Sequence, residues 1–214
     1  MRGIKSRLLG KFIVKTGYFR GALAGLLLAS GLMPAAVSAQ SYSDGFKFIE
    51  AVKKRKGEEA ESLVRQPGST VLTARDGSGN GALHLLVRDK DYTWTSFMLG
   101  KGANPNMQDR EGNTALALAA QVGWVDGAQL LLSNRASVDG PNQRGETPLI
   151  LAVHNRDLAM VRLLLAAGAN PKRTDSIAGY SAIDYAKRDG RAAAIVRELE
   201  SPAAKPKTQV GPVF

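Results

Sequence analysis

The sequence predicts an all-α solenoid, a stack of helix-turn-helix units with projecting turns or β-hairpins between them. Residues 76–108, 109–141 and 142–174 align without gaps as three units of 33 residues. They open with DGSGNGALHLLV, DREGNTALALAA and NQRGETPLILAV, and they continue to FMLGKGANPN, LLLSNRASVD and LLLAAGANPK. Each unit holds two short apolar runs, such as TPLILAVH and LAMVRLLLAAG, punctuated by Gly and Asx residues. Helices of about 8–10 residues do not persist alone in water, so their apolar faces must stack on neighbours.

Residues 1–39 come first and have the three parts of a secretory signal peptide. Arg2, Lys5, Arg7, Lys11, Lys15 and Arg20 form a positive segment. Gly21 to Met33 is a run of 13 residues without a charge, followed by Pro34 and the sequence AAVSA. Val37 and Ala39 suit the −3 and −1 positions, so cleavage after Ala39 is expected, placing a chain that begins at Gln40 in the periplasm or outside the cell. The alternative is an uncleaved membrane anchor. As a helix the uncharged run rises only about 20 Å, against a hydrocarbon core of about 30 Å. Membrane contact is therefore expected only through the signal peptide before cleavage. The leader holds six of the 29 basic residues and none of the 19 acidic ones, so 23 basic and 19 acidic residues remain elsewhere. The net charge of +10 is mostly the leader's, and no nucleic-acid footprint is read from it.

Residues 43–75 read as a degenerate N-terminal capping unit, with FIEAV and ESLV in its two helix slots and a loop two residues longer. Its basic run Lys53-Lys54-Arg55-Lys56 lies beside Glu58, Glu59 and Glu61, as in a solvated helix end with local pairing. In the regular units Gly112 and Gly145 stand where a turn needs positive φ before a helix starts. Gly102 and Gly168 suit C-terminal helix caps. Thr114 and Thr147 are placed to cap the following helix, with Pro148 at its first position. Residues 175–200 form a C-terminal capping unit with one extra residue before Gly179. There Arg197 and Glu198 replace two residues of the LLL triplet, and Lys187, Arg188 and Arg191 crowd the surface, as a terminal unit requires. The tail 201–214, SPAAKPKTQVGPVF, is expected to be disordered.

These residues resemble the ankyrin repeat, whose pattern is D-x-x-G-x-T-P-L-H-x-A-A, a second helix ending in L-L-L, then x-x-G-A. Thr147-Pro148-Leu149 matches strictly, Thr114-Ala115-Leu116 lacks the Pro, Gly81-Ala82-Leu83-His84 keeps the His, and Ser181-Ala182-Ile183 is a looser copy. The resemblance extends over about 43–200 and, with the leader, to exported bacterial ankyrin-repeat proteins. It implies a monomeric scaffold that binds a partner protein on turn tips and first-helix faces, without cofactor or metal. Carried over by position, the surface slots are Arg88 and Asp89; Arg110, Glu111, Asn113, Gln121 and Val122; and Gln143, Arg144, Glu146, His154 and Asn155. The set mixes both charges with amides, suggesting a polar, moderately salt-sensitive interface. The implied role is to hold or protect a partner protein in the cell envelope, the alternative being a secreted effector that binds host proteins. The resemblance also implies that His84 bonds backbone within a turn and that His154 faces the groove.

The catalytic inventory is thin. There is no Cys, which excludes disulfides, thiolate nucleophiles and Cys-ligated metal. His84 and His154 are the two histidines, and no H-E-x-x-H, G-x-S-x-G or Walker A spacing occurs. The acidic residues are dispersed, so a hydrolase is the least supported alternative and no enzyme is expected. Trp94 falls in the slot of Gly127 and Met160, which suggests compensating volumes in the core. Trp124 suits either a place under its turn or an exposed anchor. Tyr92 reads as a rim residue.

Overall fold

A computed structural model describes the backbone of residues 35–201 and the side chains of 44–201. Most of the expected signal peptide and the tail beyond Ser201 lie outside the described residues. The chain divides into two units, Met1–Gln40 and Ser41–Phe214, and of the first only residues 35–40 are described, as helix.

Among the described residues ten helices form five pairs: α1 (Ala35–Lys53) with α2 (Gly57–Val64), α3 (Ala82–Arg88) with α4 (Tyr92–Gly100), α5 (Ala115–Gln121) with α6 (Val125–Ser133), α7 (Pro148–His154) with α8 (Leu158–Ala166), and α9 (Ala182–Arg188) with α10 (Ala193–Glu200). None is long and apolar enough to cross a membrane. α1 is longer than the FIEAV slot and runs through the Ala39–Gln40 bond, because the Ala-rich segment after Pro34 holds no helix breaker. The expected β-hairpins are reduced to turns, with a single isolated antiparallel bridge between Thr174 and Ser181 among the described residues.

The first helices α5 and α7 have first helices on both sides, so nearly their whole surface is core. Every residue from Ala115 to Ala120 and from Pro148 to Val153 is buried. Met98, Leu131 and Leu164 continue the core along the second helices at the 33-residue spacing. In the last unit Glu198 takes that slot and pairs with Arg162 at 2.6 Å, giving the stack a polar end.

Caps follow the expected letters. Thr114 accepts from the Ala117 N–H at 3.2 Å and Thr147 from the Ile150 N–H at 3.3 Å, with Pro148 at the first helical position. Asp91 and Asp157 cap α4 and α8 through the Trp94 and Met160 N–H groups. α6 has no such cap, since Trp124 stands at its head. The Trp124 ring is buried, and a Cβ added at Gly127 would lie 1.9 Å from it. Trp124 therefore packs under its own turn and fills the hole left by Gly127. Trp94, expected in the core, is instead half-buried at its edge. It sits edge-on to Phe97 with centroids 5.6 Å apart and lies 5.8 Å from the Arg55 guanidinium. The space over Gly127, which Trp94 was expected to compensate, is occupied by Trp124 of the same unit.

The basic run at 53–56 is paired as expected, Lys54 with Glu50 at 3.3 Å and Lys56 with Glu59 at 3.1 Å. Arg55 departs from local pairing and reaches the next unit, at 2.8 Å from Asp89 and 2.6 Å from Asp91. Arg156 makes the corresponding reach to Asp189 near the other end.

Candidate functional site

The turns that join successive units are built on one position, occupied in turn by Asp76, Asp109, Asn142 and Asp175. Its side-chain oxygen accepts the N–H groups that follow. Asp109 Oδ1 takes Glu111 at 2.9 Å and Asn113 at 2.8 Å, and Asn142 Oδ1 takes Arg144 at 2.9 Å and Glu146 at 3.0 Å. Neighbouring turns are then stitched by backbone, Gln143 N–H to Glu111 carbonyl at 3.0 Å and Ser176 N–H to Arg144 carbonyl at 2.8 Å. His84 joins the same ladder from α3. Its Nδ1 accepts the Gly81 N–H at 3.1 Å and its Nε2 lies 3.0 Å from the Asn113 carbonyl, the turn role implied by the resemblance. Burial holds this imidazole below its usual range, against the opposing pull of the Asn113 carbonyl and Asp109.

The geometry sorts the expected surface residues. Arg88, Asp89, Arg110, Glu111, Gln121, Gln143, Arg144, His154 and Asn155 are exposed. Asn113 is not: it is only 5% exposed, and its amide is bonded to Asp109 and Glu111. Glu146 is also mostly covered, its side chain 13% exposed between Arg144 at 2.7 Å and His154 at 3.9 Å. Val122 is half-buried against the core. All three were expected to face solvent; the Asx turn draws the residue four places on inward, and Val122 caps the C-terminus of α5. Asn155, though exposed, spends its amide on the carbonyls of Ala120 at 3.0 Å and Gln121 at 2.7 Å.

At the C-terminal end of this face an aromatic corner forms that the surface slots omitted. The Tyr185 ring stands edge-on to His154 at 4.4 Å and to Tyr180 at 5.5 Å, and the Arg188 guanidinium sits 4.6 Å from the Tyr180 centroid. Tyr185 donates its hydroxyl proton to Asp175 at 2.6 Å. Burial works to raise the Asp175 carboxyl, but the Tyr185 hydroxyl and the N–H groups of Ala178, Ile177 and Gly179 outweigh it and hold it at about 2. The same bond, helped by burial, pushes Tyr185 up to about 12. One signal was available: Tyr185 occupies the position of Leu118 and Leu151 in the preceding units, a polar aromatic in a leucine slot.

Among the described residues no group of three His, Cys, Asp or Glu side chains could hold a metal ion. A depression of about 690 Å³ on the second-helix side, bounded by Lys90, Tyr92, Trp124 and Asp126, gathers two ionisable groups of opposite charge and an exposed Tyr92 at its rim. The arrangement can present hydrogen-bond donors, charge and aromatic edges to another molecule.

Comparison with known proteins agrees with this architecture. Residues 83–175 match the family model for ankyrin repeats (3 copies). An ankyrin repeat-containing protein of Treponema pallidum is 36% identical over 114 residues, covering 53% of this chain and 38% of that protein. An ankyrin repeat protein of Rickettsia bellii is 29% identical over 165 residues, 68% of this chain and 47% of the relative. Neurogenic locus notch homolog protein 4 of Homo sapiens is 39% identical over 95 residues, 44% of this chain and 5% of that protein. The chain thus spans less than half the length of these relatives. Ankyrin repeats are in general interaction modules rather than catalysts. From the helix pairs, the stitched turns and the family match together, the fold is an ankyrin-repeat solenoid.

Proposed function

We propose that the chain is an exported, monomeric scaffold that holds or protects a partner protein in the cell envelope and performs no catalysis. The observation that carries this reading is a face of turn tips and first-helix ends left exposed over successive units, while both ends of the stack are polar and paired. The basic segment, the uncharged run and the AAVSA sequence support export, with Gln40 as the first residue of the mature chain.

Crosslinking in the native envelope and pull-down with the wild-type chain and an Arg110→Glu/Arg144→Glu variant tests the binding. One protein recovered with the wild type and lost with the variant is expected. Equal recovery by both, or recovery of nothing, counts against it. Sequencing the N-terminus of the chain isolated from cells tests export, and a chain that retains Met1 refutes cleavage.

A further inference from the structure

Resting on that partner-binding reading, the chemistry of the partner can be narrowed. We infer that the row of first-helix ends, with the aromatic corner at its C-terminal limit, binds an acidic polypeptide segment.

The last residues of α3, α5, α7 and α9 are Arg88, Gln121, His154 and Arg188, all exposed, and none is a carboxylate. The turn tips beside them add exposed Arg110 and Arg144. Arg110 and Arg188 have no carboxylate within ion-pair distance among the described residues, and the nearest to Arg88 is the buried Asp109 at 3.8 Å. Most carboxylates of this face are already engaged within it. Asp109 and Asp175 are buried and committed to turn N–H groups, Glu146 is covered, and Asp89 is held by Arg55. The exposed charge along the face is mixed, but its guanidinium groups Arg88, Arg110, Arg144 and Arg188 outnumber its exposed carboxylates Asp89 and Glu111. An incoming carboxylate reaches Arg110 or Arg188 without displacing a partner, and Arg–carboxylate bonds are among the stronger charge-assisted contacts. Of the two exposed carboxylates on this face among the described residues, Asp89 and Glu111, Glu111 alone is without a basic partner for an incoming cation to replace.

The corner supplies the anchor. Tyr180 and Tyr185 are fixed by edge contacts, and Arg188 is already oriented over Tyr180, so little freedom is lost on binding. Tyr and Arg held in this way are the residue types that dominate interface energetics. A nucleic-acid strand fits less well. It needs a continuous track of Lys and Arg, and here Gln121 and His154 separate the two arginines of the row.

The test is selection of a displayed random-peptide library on the immobilised full chain, followed by anisotropy titration of the enriched peptides. Enriched sequences should be net acidic, weaken with added salt, and lose about tenfold in affinity on Arg88→Gln/Arg188→Gln. Arg197→Gln on α10 should leave affinity unchanged. If circular dichroism shows the double variant misfolded, Arg110→Gln, at an exposed tip, replaces it with the same direction of effect. Enrichment of neutral or basic peptides overturns the acidic assignment but leaves the scaffold reading intact. Tight acidic peptides indifferent to these substitutions overturn the site, no enrichment overturns both readings, and tighter binding of a single-stranded oligonucleotide assigns the face to nucleic acid.

Discussion

Residues 142–174 and 109–141 fold to the same helix pair from unequal sequences. The former has Thr147-Pro148 at the head of its first helix, Asp157 capping the second and Gly168 in the left-handed turn after it. The latter lacks the proline, opens its second helix on uncapped Trp124, and puts Arg135 in a left-handed turn at φ 66°. What the second unit loses at its caps it recovers in volume, because the Trp124 ring occupies the space over Gly127. The repeat is therefore specified by the turn ladder and a filled core, and individual motif letters are exchangeable.

The largest break in that comparison comes from removing the ring. Trp124→Ala should cost about 3–5 kcal/mol in urea denaturation, and adding Gly127→Met should restore part of it. A cost near that of an exposed side chain, with no rescue, would put the ring outside the core. Gly145→Ala should follow. Its φ is 76° and a Cβ there would meet the Ser176 nitrogen at 2.5 Å, so the backbone alone costs about 1–2 kcal/mol before that clash is counted.

Acid should separate the two units. His84, whose Nε2 faces the Asn113 carbonyl, has a folded pKa below the ordinary 6.5. The unfolded chain therefore takes up the proton first, and stability present above that value falls as pH drops below it. Residues 142–174 open on uncharged Asn142 and are braced by the Asp175 turn. Asp175 contributes stability above its ordinary 3.8 that is lost as pH falls toward about 2. Hydrogen exchange should show protection around Asn113 declining first, and His84→Gln should remove that early phase. The smallest effect is a gain. Arg135→Gly relieves the left-handed strain and should raise stability by about 0.5–1 kcal/mol, visible as a higher thermal midpoint. No gain would mean that Arg135 is held there by contacts worth as much as the strain.

The stack was legible from the 33-residue spacing, the Thr caps and the turn glycines, since those letters act within a few residues of themselves. Side-chain direction was harder to read. Asn113 and Glu146 sit beside exposed tips, and only the Asx turn decides that they point inward. Trp124 and Gly127 compensate within one unit, whereas repeat alignment compares residues across units and led to Trp94. The aromatic corner joins Tyr180 from a turn with Tyr185 from α9, two departures from the repeat that become one feature only in three dimensions.

The bridges between units share a short reach. Arg75 to Gln108, Gln108 to Pro141, Gln143 to Arg110 and Arg156 to Asp189 each span 33 residues, and Lys101 to Glu61 spans 40. Each unit therefore answers only to the one beside it, and folding needs no distant loop closure. A duplication or deletion of one whole unit between the terminal pairs would keep every such bond in kind. The length of the face is thus free to drift over generations while its cross-section stays fixed.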